Sequence, residues 1–201
     1  HARSDVPIVL GGPLATFSYE IVLEKTAVDY CVLGEGETTI VALLDHLDDP
    51  GAVAGIAYRR PDGTPTRTPG GMLPSKPIDE IAQPAYDLFD IDAYAWRSPT
   101  VPGVLKFRKV RSLDIITGRG CPFSCKFCGK LVKKYPKRSV DAVIAEMAYL
   151  RDTYRIRHFS INDELFYPFK TWTPEFCEKV APLGVTWHCA ARARGFRLED
   201  L

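Results

Sequence analysis

Three closely spaced cysteines are the residues of this chain best suited to chemistry. Cys121, Cys125 and Cys128 have the spacing C-x-x-x-C-x-x-C and follow a short apolar run at residues 113–116, which predicts a β-strand. Thiolates bind the irons of a 4Fe-4S cluster, which usually takes four cysteines. Three cysteines on one loop leave one iron open, and an open metal position allows a substrate or cofactor to bind the metal directly.

The same cysteines also allow less reactive interpretations. A structural zinc site would need one further ligand, and its candidates are His158, Cys177, His188 and Cys189. A redox cluster used only for electron transfer is another non-catalytic alternative. A disulfide framework is disfavoured, because the chain has six cysteines in 201 residues and three of them crowd one loop. Free thiols of this kind indicate a reducing cytoplasm.

The composition indicates a globular protein. The chain is 46% hydrophobic and 25% charged, with a formal net charge of +1. We therefore expect no nucleic-acid partner from the overall charge, and we expect no membrane span, because no apolar run approaches about 20 residues. Residue 1 is a histidine, which indicates a piece of a longer protein.

The first part of the chain, residues 1–68, has the alternation typical of an α/β domain. Apolar residues 7–10 and 28–33 predict parallel strands around a helix at 17–25. A glycine-rich turn then leads to a second helix, whose predicted buried stripe is Ile40, Val41, Leu44 and Leu47. Residues 55–60 and 64–68 flank a Pro-Asp-Gly turn and predict a hairpin.

The rest of the chain predicts a proline-rich linker, residues 69–111, and a second α/β lobe, residues 112–201. The linker is too apolar near Tyr86 for a free tether, so we expect it to pack against a lobe. In the second lobe, strands are predicted at 113–117, 158–162 and 185–190, and helices begin at Ser139 and Thr173. The first of these helices has an apolar stripe of Val140, Val143, Ile144, Met147, Leu150 and Tyr154. Parallel barrels carry their chemistry on the loops that follow their strands, which is where the cysteine loop lies.

The cysteine spacing, with the aromatic Phe127 just before the last cysteine, resembles the radical S-adenosylmethionine superfamily. The resemblance implies that Cys121, Cys125 and Cys128 hold a 4Fe-4S cluster whose open iron binds the amino and carboxylate groups of S-adenosylmethionine. It also implies reductive cleavage of that cofactor to a 5'-deoxyadenosyl radical, with the protein positioning the cofactor and excluding water.

The first lobe is similar to the later part of the cobalamin-binding domain found in one large class of that superfamily. The similarity rests on residues 9–13 and 28–37 and on the order of the lobes. It implies a partial Rossmann-like cobalamin-binding domain followed by the first half of a partial (β/α) TIM-like radical S-adenosylmethionine barrel. Gly11 and Gly12 would then let the backbone approach the nucleotide tail of cobalamin. The chain departs from the family at Leu14, where the family often has histidine.

Two further segments are similar to the family's barrel. Asp163 and Glu164 follow the second predicted strand, and the resemblance implies that they meet the cofactor's amino group or the substrate. Arg192 follows a tryptophan by five residues, and the resemblance implies contact with the cofactor's carboxylate. Without the resemblance, Asp163 and Glu164 are equally suited to be solvated helix caps, and Arg192 is equally suited to be a surface arginine. No catalytic residue is assigned.

Basic residues cluster around the cysteines without intervening acids, and they are Lys126, Lys130, Lys133, Lys134, Lys137 and Arg138. Their charge would favour a negatively charged cluster and its thiolates. A tRNA-modifying enzyme would also use such a patch, although stacking aromatics are few here.

The resemblance implies an enzyme. The expected reaction is cobalamin-dependent methylation of an unactivated carbon in a small-molecule substrate, and oxidative cyclisation and rearrangement are alternatives in the same class. An electron donor such as flavodoxin or ferredoxin is implied as a partner. We expect residues 1–201 alone to be inactive, because three strand-helix units cannot close a barrel.

Overall fold

The structure is a computed structural model that describes residues 6–71, 76–95, 110–128, 135–166 and 170–192. The chain forms two compact units. Unit 1 comprises His1–Pro77 and Ser124–Lys133, and unit 2 comprises Ile78–Phe123 and Lys134–Leu201. Much of the predicted linker lies outside the described residues.

Unit 1 contains a mixed four-stranded sheet with the order β1-β2-β3-β4. Its elements are β1 (Val9–Leu10), α1 (Gly12–Lys25), β2 (Tyr30–Val32), α2 (Glu37–Asp45), β3 (Ile56–Arg59) and β4 (Pro65–Arg67). β1 and β2 are parallel, as predicted, and β3 and β4 form the predicted antiparallel hairpin. The hairpin joins the sheet antiparallel to β2, so the sheet is mixed.

The buried face of α2 corrects part of the sequence prediction. Leu43 is fully buried, whereas Val41 and Leu44, both predicted to be buried, are 56% and 59% exposed. Ile40 and Leu47 do pack against the core that contains Leu43. Ile40 and Leu43 follow the i, i+3 spacing of one helix face, and Leu47 lies just beyond the end of α2. Val41 and Leu44 each lie one residue, about 100°, away from that face.

Two glycines allow very close backbone packing beneath this sheet. Gly55 and Gly71 have φ values of +79° and +81°. A Cβ added to either one would lie 2.5 Å from the Cα of the other. The Gly55 carbonyl also accepts a hydrogen bond from the Leu33 amide at 2.9 Å, so this approach joins the end of the hairpin to the strand region of the sheet.

Unit 2 contains a parallel three-stranded sheet with the order β5-β6-β7. Its elements are α3 (Ile91–Ala95), β5 (Ser112–Ile115), α4 (Val140–Tyr154), β6 (His158–Ile161), α5 (Trp172–Val180) and β7 (Thr186–Cys189). All three predicted strands are therefore present. Ile115, Phe159 and Ile161 on the sheet share one apolar core with residues from α4 and α5.

Helix α4 forms as the sequence predicts. Ser139 is its N-cap, and the Ser139 hydroxyl accepts a hydrogen bond from the Ala142 amide at 3.2 Å. The four residues of the predicted stripe that are fully buried are Val140, Val143, Met147 and Leu150. Ile144 and Tyr154 pack against the same core while partly exposed.

Helix α5 begins one residue before the predicted cap, Thr173. Its N-cap is Thr171, and Thr173 lies inside the first turn with its hydroxyl buried and without a hydrogen-bond partner among the described residues. The reason is Trp172, whose ring stacks on Phe176 at 5.1 Å and whose indole N–H donates to the Arg138 carbonyl at 2.7 Å. These contacts fix Trp172 as the first helical residue.

The apolar part of the predicted linker packs on unit 2, as expected. Tyr86, Ile91 and Ala95 are buried in the core of that unit. Within the part of the chain that the structure describes, no helix combines the length and apolarity needed to cross a membrane.

Candidate functional site

Three predicted functional segments begin after the carboxyl ends of the parallel strands of unit 2, and of the three loop cysteines Cys121 belongs to that unit whereas Cys125 and Cys128 belong to unit 1. The cysteine loop follows β5, Asp163 follows β6, and Arg192 follows β7. Because parallel strands end at the same edge of a sheet, the loops after them converge at that edge. This edge is therefore the candidate functional site.

The two ends of the cysteine loop pair with each other. Gly118 forms an antiparallel bridge with Lys137. The Arg119 amide donates to the Pro136 carbonyl at 3.0 Å, and the Arg138 amide donates to the Thr117 carbonyl at 2.8 Å. The loop that carries the cysteines is thus closed at its base by backbone hydrogen bonds.

Asp163 is buried against this base. Its carboxylate accepts hydrogen bonds from the Thr117 amide at 2.6 Å, the Thr117 hydroxyl at 2.5 Å and the Gly118 amide at 3.1 Å. It also pairs with the Lys137 ammonium at 3.4 Å. Asp163 is therefore neither a helix cap nor a solvent-exposed carboxylate.

Lys137 lies in an aromatic enclosure beside Asp163. Its ammonium is 4.1 Å from the ring centroid of Trp172, 4.5 Å from that of Phe166 and 5.7 Å from that of Tyr135. It donates a 2.7 Å hydrogen bond to the Thr117 hydroxyl oxygen. Burial lowers the pKa of Lys137, and the negative charge of Asp163 opposes this effect.

A second buried network lies directly after the loop. The Arg138 guanidinium pairs with Glu146 of α4 and donates to the Ile116 carbonyl at 3.0 Å. The Tyr86 hydroxyl donates to the other oxygen of Glu146 at 2.5 Å. Burial raises the pKa of Tyr86, and its hydrogen bond to Glu146 raises it further, so Tyr86 remains a donor.

The cysteines of the loop form no disulfide bond, and none of them is fully buried. Cys121 and Cys125 are half-buried, and Cys128 is exposed. The Cys128 amide donates to the Cys125 carbonyl at 3.1 Å, which makes a tight turn between the last two cysteines. Three cysteine thiols outside any disulfide are the type of ligand that an iron-sulfur cluster takes.

That Cys121, Cys125 and Cys128 are metal ligands stays a prediction from their chemistry and spacing. Among the residues that the structure describes, no group of three or more His, Cys, Asp or Glu side chains lies close enough to hold a metal ion. Two predicted zinc ligands bind each other instead, since His158 Nε2 lies 2.8 Å from His188 Nδ1. Lys130, Lys133 and Lys134 lie outside the described residues.

The remaining predicted site residues have varied surroundings. Glu164 is exposed, and Phe127 is 89% exposed. The Arg192 guanidinium lies over the ring of Phe123 at 4.1 Å, a cation-π contact between two loops at the candidate edge. Arg192 is thus held near the start of the cysteine loop.

The two glycines of unit 1 lie at the start of α1. Gly11 is the extended N-cap of that helix, and Gly12 has a φ of +86°. A Cβ added at either position would meet no atom of the described residues within 4 Å. Both positions therefore border open space.

A row of polar side chains on the sheet of unit 2 did not emerge from the sequence analysis. His158 stacks on His188, with 5.0 Å between ring centroids, and also bonds the Thr186 hydroxyl at 2.8 Å. His188 Nε2 lies 3.3 Å from the Ser160 hydroxyl oxygen. The alternation of polar and apolar residues along β6 and β7 is the sequence feature that indicates such a row on one face of the sheet.

Several known proteins are similar to this chain. Residues 1–44 match the family model described as B12 binding domain. The chain is 30% identical over 204 residues to an uncharacterized methyltransferase from Pyrococcus horikoshii, aligned over 96% of this chain and 41% of that protein. It is 31% identical over 194 residues to an anaerobic magnesium-protoporphyrin IX monomethyl ester cyclase from Rubrivivax gelatinosus, aligned over 91% of this chain and 33% of the cyclase. It is 28% identical over 220 residues to a cytidylyl-2-hydroxyethylphosphonate methyltransferase from Streptomyces wedmorensis, covering 95% of this chain and 40% of that protein.

The fold has a solved counterpart. The structure of the radical S-adenosylmethionine methyltransferase TsrM from Kitasatospora setae, with cobalamin and a [4Fe-4S] cluster bound, matches with a TM-score of 0.58 at 19% identity. The match covers 97% of this chain and 43% of TsrM. This chain spans about two fifths or less of the length of the curated relatives described above.

These similarities confirm the predicted α/β fold class and the predicted resemblance to the cobalamin-binding class of radical S-adenosylmethionine proteins. The likeness to TsrM supports the fold. The B12 binding domain match over residues 1–44 supports the predicted similarity of the first lobe to a cobalamin-binding domain.

Proposed function

We propose that this chain is part of a radical S-adenosylmethionine enzyme that uses cobalamin to methylate an unactivated carbon of a small-molecule substrate. The observation that carries the proposal is a three-cysteine loop after the first strand of a parallel sheet, in a chain whose residues 1–44 match a B12 binding domain. The names of two relatives, both methyltransferases, support methyl transfer. Residues 1–68 would form the cobalamin-binding lobe, 69–111 the linker and 112–201 the barrel lobe.

Each cofactor would have residues suited to it. Cys121, Cys125 and Cys128 would hold the 4Fe-4S cluster. When bound, the cluster would supply the electron for cleaving S-adenosylmethionine, and cobalamin would carry the methyl group. Gly11 and Gly12 would accept the nucleotide tail of cobalamin, because the space next to both is open.

Polar groups at the candidate edge would orient S-adenosylmethionine. Arg192 carries a fixed positive charge suited to the cofactor's carboxylate, and its contact with Phe123 holds it near the loop. Glu164 is exposed and free of burial cost, so it would be available to the amino group. Phe127, also exposed, would cover one side of the cluster. A flavodoxin or ferredoxin in the cytoplasm would supply electrons.

The cluster assignment is tested by anaerobic reconstitution with iron and sulfide. We expect brown protein with about four irons per chain and an electron paramagnetic resonance signal that changes when S-adenosylmethionine is added. Cys121→Ala, Cys125→Ala and Cys128→Ala should each lose the cluster. Cys177→Ala is the matched control, because Cys177 is an exposed cysteine of α5, outside the loop. A colourless protein that holds one zinc would contradict the proposal.

Cobalamin binding has a separate test at Gly11. Because Gly11 has an extended φ of −119° and open space around it, Gly11→Leu should leave the unfolding midpoint unchanged. The same substitution should reduce the cobalamin retained after gel filtration, measured by its visible absorption. Equal retention by both proteins would remove Gly11 from the proposed site.

Cyclisation is a second candidate function, favoured by the 31% identity to the Rubrivivax gelatinosus cyclase. The two reactions differ in their products from S-adenosylmethionine. Methyl transfer must release S-adenosylhomocysteine, because the methyl group leaves the sulfonium, whereas cyclisation releases none. Product analysis with the longer protein that contains this chain would decide between them.

A further inference from the structure

The cysteine loop needs support at its two ends. Residues 118–137 lie between the end of β5 and the start of α4, and the described parts of this stretch contain no helix and no strand longer than the single Gly118 bridge. A segment without regular structure keeps its side chains in place only when other contacts restrain it. The ends of this loop therefore depend on the contacts that join them at its base.

Asp163 makes its contacts with that base. Its side chain is fully buried, and its oxygens accept hydrogen bonds from two backbone amides and one hydroxyl of Thr117 and Gly118. It also pairs with Lys137, at the other end of the loop. One carboxylate thus joins both ends of the loop to the end of β6.

The side chain of Lys137 is also buried. Its side chain is 10% exposed, and the rings of Trp172 and Phe166 enclose the ammonium. A cation buried in this way needs a fixed counter-charge, and Asp163 supplies it. The hydroxyl of Thr117 connects the pair, since it donates to Asp163 and accepts from Lys137.

We propose that Asp163, Lys137 and Thr117 form a clamp that closes the base of the loop on which the proposed cluster ligands lie. Asp163 is then a positioning residue, and its buried carboxylate acts through the loop instead of contacting a cofactor. The inference deepens the proposed function and rests on it for the role of the cysteines. The closure of the loop itself can be tested without any cluster.

The first experiment measures hydrogen-deuterium exchange in the metal-free protein. Asp163→Asn should accelerate exchange of the amides of Thr117, Gly118 and Arg138 by about tenfold or more, because charge-assisted hydrogen bonds to a carboxylate are lost. Asp141→Asn is the matched control. Asp141 lies in the same unit and pairs with Lys179, but its side chain is 82% exposed, so loop exchange should not change. Unchanged exchange in a folded Asp163→Asn protein would overturn the clamp.

A second variant keeps the test decisive if Asp163→Asn does not fold. Thr117→Val removes the bridging hydroxyl and retains the β-branched shape and the backbone amide. It should accelerate the same amides, and wild-type exchange in this variant would count against the proposal. Circular dichroism separates a local change in the loop from global unfolding.

The second experiment follows the cluster. In reconstituted wild-type protein we expect about four irons per chain. Lys137→Met should release iron to a chelator at least about tenfold faster than the wild-type protein. Lys137→Arg, which keeps the charge, should release iron at a rate close to that of the wild-type protein. If wild-type protein binds no cluster, the proposed function fails and the exchange result still judges the clamp. If wild-type protein binds a cluster and Lys137→Met releases iron at the wild-type rate, the clamp fails alone.

Discussion

Removing Glu146 should destabilise unit 2 strongly. Glu146 is 3% exposed and accepts hydrogen bonds from Tyr86 and Arg138, whose side chain is 11% exposed. Glu146→Ala would leave the Arg138 guanidinium buried without its counter-charge and the Tyr86 hydroxyl without its acceptor. The lost ion pair would loosen the end of the cysteine loop, because Arg138 directly follows Lys137.

The expected magnitude follows from these contacts. Breaking a buried ion pair by removing one partner costs about 3–5 kcal/mol. Arg138 retains its hydrogen bonds to the Ile116 carbonyl at 3.0 Å and the Ala142 carbonyl at 3.4 Å, which favours the lower end of that range. We therefore expect Glu146→Ala to lower the free energy of unfolding by about 3 kcal/mol. A smaller loss of about 1–2 kcal/mol is expected for Tyr86→Phe, which removes one hydrogen bond.

Urea unfolding followed by tryptophan fluorescence measures this loss, because Trp172 and Trp187 both belong to unit 2. With a slope of about 1–3 kcal/mol per molar urea, the midpoint should fall by about 1–3 M. Glu175→Gln is the control: it removes an exposed pair with Lys179 and should cost about 0.5 kcal/mol or less. Equal losses for Glu146→Ala and Glu175→Gln would refute the assignment of a buried network.

Three further predictions concern pH, backbone packing and thiol reactivity. Burial and the neighbouring His188 lower the pKa of His158 below 6.5, so the unfolded chain binds the proton more readily than the folded chain. The free energy of unfolding should therefore fall as the pH drops from about 7.5 to 5.5, by at most about 1.4 kcal/mol per pH unit. His158→Gln should flatten this slope in urea titrations, and an unchanged slope would contradict the prediction. Gly71→Ala should lower the unfolding free energy far more than Gly63→Ala, because both positions have positive φ but only Gly71 faces another backbone at 2.5 Å; similar unfolding midpoints would refute the close contact. Cys31 is fully buried and burial raises its pKa, so maleimide should label Cys128 first and Cys31 only on unfolding, as mass spectrometry of native and urea-treated protein would test.

The sequence predicted the secondary structure of unit 2 well, because its elements carry strong local signals. Ser139 before a regular apolar stripe predicts the start and the buried face of α4, and the structure has both. The face of α2 was predicted less well. Its nine residues include apolar side chains on more than one face, so periodicity alone could not distinguish Leu43 from Leu44 as the core residue.

The prediction of the site rests on spacing along one segment. The three cysteines share one loop, so their spacing predicts a metal centre without knowledge of the fold, and this stays a prediction. The pairing of His158 with His188 depends on the register of β6 and β7, which sequence periodicity does not specify. The start of α5 at Trp172 likewise depends on a tertiary contact, the hydrogen bond from its indole to Arg138.

Asp163 shows why a residue's position at a strand end does not determine its role. Ligand contact was predicted for Asp163 from its resemblance to the acidic segment after the second strand of the family's barrel, at the edge where parallel sheets bind ligands. The same edge also contains the unpaired amides at the end of the neighbouring strand, and here Thr117 and Gly118 offer two of them. A carboxylate that satisfies those amides and a buried lysine is committed to the loop, whereas Glu164, the next residue, is exposed. Of two adjacent acids at this edge, the buried one is therefore suited to positioning the loop and the exposed one to contacting a ligand.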